Sequence, residues 1–243
     1  MHGPHVGERI ASAKVRDRLR AVLRFFSSAP VQVIGDYHRD GYAHLKGLIP
    51  VEVARAFMQG IKEDMGHGSI PVSRATRFSD VLKRPAFEVY GNRYKPMSFF
   101  LWGLTPIASE LVGRDLLPTY DYFRIYREGD ICRVHADRPA CEHSLSLTLD
   151  YSDDLPWELE FAREANSGVS GDDFAGHPYG SIPMQVGDAV LYQGVNYAHG
   201  RTRPNPNAWS AHLFLHYVDR DGPFAADAFD RQLRPEKVDF SFA

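Results

Sequence analysis

The chain has 243 residues, 44% of them hydrophobic and 24% charged, with a formal net charge of −3. That composition suits an ordinary folded domain, and the small negative charge gives no electrostatic case for nucleic acid or an anionic membrane as partner. No apolar run approaches the ~18 residues of a bilayer span, and the first residues lack the apolar core of a secretory signal. Two cysteines, Cys132 and Cys141, cannot build a disulfide framework, so a reducing cytoplasm is the expected compartment.

Val15, Leu19, Val22, Leu23 and Phe26 recur at helical spacing and predict an amphipathic helix over residues 8–26. Its other face, with Arg16, Arg18, Arg20 and Arg24, reads as solvated. Tyr42-Ala-His-Leu alternates like a short strand that Gly47 ends. Pro50 suits the start of a helix carried on by Val53, Phe57 and Ile61 and capped by Gly66. Residues 66–96 show no steady period and are expected to be irregular, either lining a pocket or simply connecting. Thr105-Pro106 predicts the opening of a short helix that Ile107 and Leu111 pack and Gly113 closes.

From Tyr120 the period changes from helical to alternating. Segments 120–126, 131–137, 144–150, 157–161, 189–192 and 210–218 read as strands, separated by turn-like stretches rich in Gly, Asp and Pro. So many strands with so few helices between them imply a mainly β fold: a double-stranded β-helix, or jelly roll, with N-terminal helices packed on one sheet. A single domain is expected over 1–243, with a helical part to about residue 118, a core to about 220 and a tail over 221–243. The polar insert 163–183 is expected to be a loop and a candidate lid. The tail from Phe224 reads as a short helix or an extended strap.

The chemistry concentrates at His135-Ala136-Asp137. Two residues apart on an extended segment, an imidazole and a carboxylate point to one face. The strand-like run from Asp188 to His199 delivers a second histidine. Two histidines and one carboxylate are the donor set that holds Fe(II) and leaves adjacent positions open. Cys132 and Cys141 are poorly spaced for structural zinc and read as buried thiols. His143, His177 and His216 read as satisfied polar residues, and Trp157 and Trp209 as core or pocket wall. Arg138 is a candidate substrate-facing cation, or half of a structural ion pair.

The pattern Y-x2-G-x5-H-x-D, met here by Tyr126, Gly129, His135 and Asp137, together with the distal His199, resembles the iron(II)/2-oxoglutarate-dependent oxygenases, in particular the phytanoyl-CoA and prolyl hydroxylase branch. The resemblance runs from Tyr37-His-Arg-Asp-Gly-Tyr to Val218. It implies that His135, Asp137 and His199 ligate Fe(II), and that 2-oxoglutarate and O2 are consumed while a substrate C–H bond is hydroxylated, releasing succinate and CO2. Asp137 argues against a halogenase, which has a small residue at that place. The family also carries an Arg or Lys about nine to eleven residues after the distal histidine, to clamp the distal carboxylate of the cosubstrate. Those positions are Ala208, Trp209 and Ser210 here, so the clamp is expected from Arg201 or Arg203, helped by Tyr126 and His212, with Arg124 as a further candidate. The substrate is expected to be a small molecule, an amino acid or natural-product intermediate. Two alternatives stay open: a peptide or protein side-chain hydroxylase, and a jelly-roll binding protein without turnover.

Overall fold

The computed structural model describes residues 31–70 and 75–230. The helix expected over 8–26 and most of the tail lie outside them. Three helices are described: the single turn α1 (Tyr37–Asp40), α2 (Val51–Gly66) and α3 (Ser98–Val112). The strands are β1 (Gln32–Ile34), β2 (Tyr42–Lys46), β3 (Thr76–Arg77), β4 (Ala86–Tyr90), β5 (Leu116–Arg127), β6 (Cys132–His135), β7 (His143–Tyr151), β8 (Leu159–Ala162), β9 (Tyr179–Ile182), β10 (Ala189–Tyr192), β11 (His199–Arg201) and β12 (Trp209–Asp219). They form an eight-stranded sheet, β1-β2-β10-β7-β12-β5-β4-β3, and a four-stranded sheet, β6-β11-β8-β9. Among the described residues all pairings between these strands are antiparallel. The protein is mainly β, with the two-sheet architecture of a jelly roll.

Strand β7 shows why the large sheet forms. Its sequence, HSLSLTLDY, alternates hydroxyls with leucines, so a pleated strand sends the two sets to opposite faces. Leu145, Leu147 and Leu149 are fully buried and join Leu213, Leu215 and Phe123 in a core with Met58 and Ile61 of α2 and Leu104 and Ile107 of α3. Helix α2 lies against β7, and α3 against β5 and β12. Each buried leucine contributes about 1.5–3 kcal/mol. The other face, with Ser144, Ser146 and Thr148, looks toward the small sheet. There a second cluster of Leu159, Phe161, Ile182, Met184, Val190 and Tyr192 joins the sheets.

Several local expectations are corrected. Helix α3 begins at Ser98, so Pro106 lies inside it rather than at its start. The proline ring removes the N–H that would reach the Trp102 carbonyl, and one residue earlier Thr105 Oγ1 and Tyr217 Oη both donate to the Leu101 carbonyl, at 2.7 and 3.2 Å. Gly66 is the last residue of α2, and the cap passes to His67. Segment 66–96 is not all irregular: β3 and β4 extend the large sheet. The run from Asp188 to His199 is two strands, β10 in the large sheet and β11 in the small one. Insert 163–183 ends in β9, which pairs with β8, while Val169 and Phe174 are buried with Val134, Ala162 and Ala198. Among the described residues no helix is long and apolar enough to cross a membrane.

Candidate metal centre and anion pocket

The register of the large sheet lays its concave face out in rows. One row runs Tyr192–Ser144–His216 across β10, β7 and β12. The next runs Val190–Ser146–Phe214–Tyr122, and a third Thr148–His212–Arg124–Glu88. Successive rows are two residues apart along a strand, about 7 Å. The small sheet covers these rows and brings a functional side chain to each end.

Over the first row, β6 and β11 pair so that His135 and His199 are directly opposed, with ring centroids 4.6 Å apart. Asp137, just beyond the end of β6, completes the set. Its carboxylate oxygens lie 3.5 Å from His135 Nε2 and 3.7 Å from His199 Nε2, and one donor atom from each residue falls within 4.8 Å of the others. The second nitrogen of each ring is fixed by backbone: His135 Nδ1–H donates to the Arg133 carbonyl at 2.7 Å and His199 Nδ1–H to the Tyr197 carbonyl at 3.0 Å. This is the outer-shell arrangement that selects the tautomer and turns both Nε2 atoms to a metal. Asp137 is held as firmly: Ser144 donates to Oδ2 at 3.2 Å, and its own N–H donates to the Gly194 carbonyl at 2.8 Å. A β-carbon at Gly194 would sit 2.2 Å from that Oδ2, so the close approach requires glycine.

Electrostatics agree with a cation-binding cluster. Burial would raise the Asp137 carboxyl, but His199 and His135 outweigh it and hold the group well below the usual carboxylate range. Burial would lower His135, but the hydrogen bond to Asp137 and the nearby charges push the ring up to about 9. His199 is brought down to about 4 by burial, despite Asp137. The cluster thus carries a proton on the more open ring, which a metal ion would displace. The His135 side chain is 23% exposed and that of His199 5%, so access is from the His135 side.

At the far end, Arg201 follows on β11 and points to the third row. It is 1% exposed and lies over the Trp157 ring at 4.8 Å. Its guanidinium donates to the Trp157 carbonyl and, at 3.4 Å, contacts His212 Nδ1. Among the described residues no carboxylate lies within ion-pair distance of it, and a buried cation lacking a counter-charge costs several kcal/mol. A guanidinium can only donate, so His212 Nδ1 accepts, as it does from Thr148 Oγ1 at 3.3 Å. The His212 proton therefore sits on Nε2, which is buried without a partner. Burial, then Arg201 and Arg124, hold this imidazole far below its ordinary range, so it is a neutral donor. Tyr126 closes the same layer, edge-on to Trp157 at 4.9 Å and to His212 at 6.0 Å. A buried positive charge and a buried, unpartnered N–H thus belong to neighbouring side chains, a pairing suited to an anion.

The other predicted cations sit elsewhere. Arg203 has a 60% exposed side chain and pairs with Glu158 at 3.1 Å, outside the barrel. Arg124 is buried but already engaged by Glu88 at 2.6 Å, and it donates to Tyr126 Oη at 2.9 Å. Arg138 lies over the Tyr120 ring at 4.4 Å. Sequence reasoning passed over Ser144, Thr148 and Glu88. The strict alternation of Ser144-Leu-Ser-Leu-Thr148 was the available signal for the first two.

No protein-family model matches the chain, and no curated protein sequence does. Solved structures do. SnoN, a non-haem alpha-ketoglutarate-dependent epimerase from nogalamycin biosynthesis, is 14% identical, with 86% of this chain and 84% of that one covered at a TM-score of 0.59. A Pseudomonas putida prolyl-4-hydroxylase is 14% identical over 76% and 96% at a TM-score of 0.51. EctD from S. alaskensis, solved with bound Fe, is 14% identical over 77% of each chain at 0.54. The chain thus shares its two-sheet fold with these structures.

Proposed function

We propose that the chain is a single-domain, iron(II)- and 2-oxoglutarate-dependent oxygenase acting on a small molecule in the cytoplasm. The observation that carries this reading is the pairing of two sites on one concave face: a His–His–Asp cluster at the rim and an unpaired buried arginine two rows deeper. The donor set fits Fe(II). Two nitrogens and one carboxylate converge with their outer hydrogen bonds already made, which is the facial-triad ligand set with positions left open. The likeness in fold to SnoN, to the prolyl-4-hydroxylase and to EctD with its bound Fe supports it.

In this reading His135 Nε2, His199 Nε2 and an oxygen of Asp137 hold the iron. Arg201, His212 Nε2–H and Tyr126 hold the distal carboxylate of 2-oxoglutarate, so its other end is directed to the rim. His199 and Arg201 are two residues apart on β11, about 7 Å along the strand, and the long Arg201 side chain carries its guanidinium on to His212 in the third row. The iron, when bound, supplies activation of O2 for oxidation of a substrate C–H bond. The protein contributes ligands and orientation, with Phe161 and Tyr192 packed on the His199 ring. Arg203 and Arg124 take no part in the clamp, since each already has an acidic partner. The small exposure of the cluster, 23% at His135 and 14% at Asp137, favours a compact substrate over a folded protein.

The test is anaerobic addition of Fe(II), then 2-oxoglutarate, to the purified chain, followed by visible absorption. Chelation by the cosubstrate gives a metal-to-ligand charge-transfer band. No band, with no consumption of 2-oxoglutarate in air, would leave a jelly-roll binding protein.

A further inference from the structure

Behind the triad lies a second set of ligating side chains that this reading does not use. Asp137, Cys141 and His216 bring one donor atom each to within 4.8 Å of the others. Cys141 ends the short turn Pro139–Cys141 that follows the triad aspartate, and His216 comes from β12 in the first row. Both are 2% exposed. His216 Nδ1 meets the Ser144 hydroxyl at 2.8 Å, while Nε2 is buried with no hydrogen-bond partner. A buried ring nitrogen left unpartnered costs stability, and it marks a place where a ligand of complementary chemistry would be favoured. Cys141 Sγ lies 3.0 Å from Tyr120 Oη, and the Tyr120 ring is 4.6 Å from that of His216, so the three donors and the phenol line one small space.

We propose that Asp137, Cys141 and His216 form a second, thiophilic metal site that takes zinc and competes with His135 and His199 for the shared carboxylate. Sulfur, imidazole and carboxylate together are a zinc donor set, and such a set prefers zinc to Fe(II). Binding forms a metal–sulfur bond, the Cys141 thiol proton leaves to solvent, and no electron is transferred. The consequence is inhibition by capture: zinc at Cys141 and His216 draws Asp137 away from the iron ligands. The competition rests on the iron reading of the triad, whereas the thiolate site does not.

Cobalt(II) is the probe, because a thiolate ligand gives it intense near-ultraviolet charge transfer that nitrogen and oxygen ligands do not. Anaerobic titration of the full chain should produce this band in the native protein and in Cys132→Ser. It should be lost in Cys141→Ser and need at least ~10-fold more cobalt in His216→Ala. Cys141→Ser should still form the visible band with Fe(II) and 2-oxoglutarate. Zinc should raise the Fe(II) needed for that band at least ~10-fold more in the native protein than in Cys141→Ser. Cobalt bound without near-ultraviolet absorption, or absorption that survives in Cys141→Ser, overturns the site. If Cys141→Ser does not fold, His216→Gln carries the same test, with an undiminished band overturning it. Cobalt–thiolate absorption without any Fe(II)–2-oxoglutarate band would uphold the site and reject the competition.

Discussion

The two faces of β7 and β12 differ by one residue of register and by everything in their chemistry. On the convex face Leu145, Leu147, Leu213 and Leu215 are fully buried against helices α2 and α3. On the concave face Ser144, Thr148, His212 and His216 are just as buried, yet they sit beside unpartnered nitrogens and an uncompensated arginine. Both faces hold unpartnered buried atoms, His143 Nε2 and Asp121 Oδ2 on the convex side among them, but the concave side sets them beside a cluster of metal-ligating donors and an arginine without a counter-charge. Burial alone therefore does not tell core from site, whereas the convergence of donor atoms and uncompensated charge does.

That contrast can be broken from either side. His199→Ala removes one of two imidazoles on which the proposed iron depends and should abolish tight Fe(II) binding, a larger loss than the ~10–100-fold that outer-shell changes cost. Thermal unfolding of the variant should stay cooperative, and iron retained at native stoichiometry in a metal titration would reject the assignment. Leu147→Ala, on the opposite face, should destabilise the chain by about 2–5 kcal/mol in urea unfolding while the Fe(II)–2-oxoglutarate absorption of the folded fraction is unchanged. A shifted band there would mean that the faces are not independent.

Arg201 and Arg203 sharpen the contrast within one segment. Arg201→Ala should raise the 2-oxoglutarate requirement at least ~10-fold, about 1.4 kcal/mol, with iron binding intact. Arg203→Ala, removing an exposed ion pair, should leave it unchanged. Equal effects from the two variants would move the clamp elsewhere.

How much of this was legible beforehand follows from which interactions are local. Strand alternation showed β7, β10 and β12, and the same period put His135 and Asp137 on one side. That Arg201 is buried and Arg203 exposed was not legible, because both follow His199 on what reads as one extended segment. Only the end of β11 at Arg201 and the position of Glu158 decide it. The pairing of Arg124 with Glu88 depends on β4 joining β5, and β4 lay in a segment without a usable period. Pro106 misled for a related reason: α3 runs through it because the helix packs on β5 and β12, contacts distant in sequence.

Asp188 gives the smallest effect and the most specific one, since it is a buried carboxylate whose partners are all present. Oδ1 accepts from the Gly47 N–H at 2.8 Å, and Oδ2 from the Gln185 N–H at 3.0 Å, with His44 Nε2 at 3.1 Å. Burial would raise its carboxyl, but His44 and the two backbone N–H groups more than offset this and hold it below the ordinary value. A carboxylate depressed in the folded state contributes stability that is complete above its unfolded pKa, about 3.9. That contribution is lost as pH falls through the folded value. Asp188→Asn turns an amide NH2 toward a backbone N–H and should cost about 1 kcal/mol at neutral pH. Because the variant has no carboxylate to protonate there, its stability should fall less steeply than the native protein's below about pH 4. Urea unfolding from pH 7 down to pH 3 measures both slopes. Parallel slopes would show that Asp188 titrates alike in the folded and unfolded chain, and would remove it as the contrast to Asp137, the carboxylate proposed to bind metal.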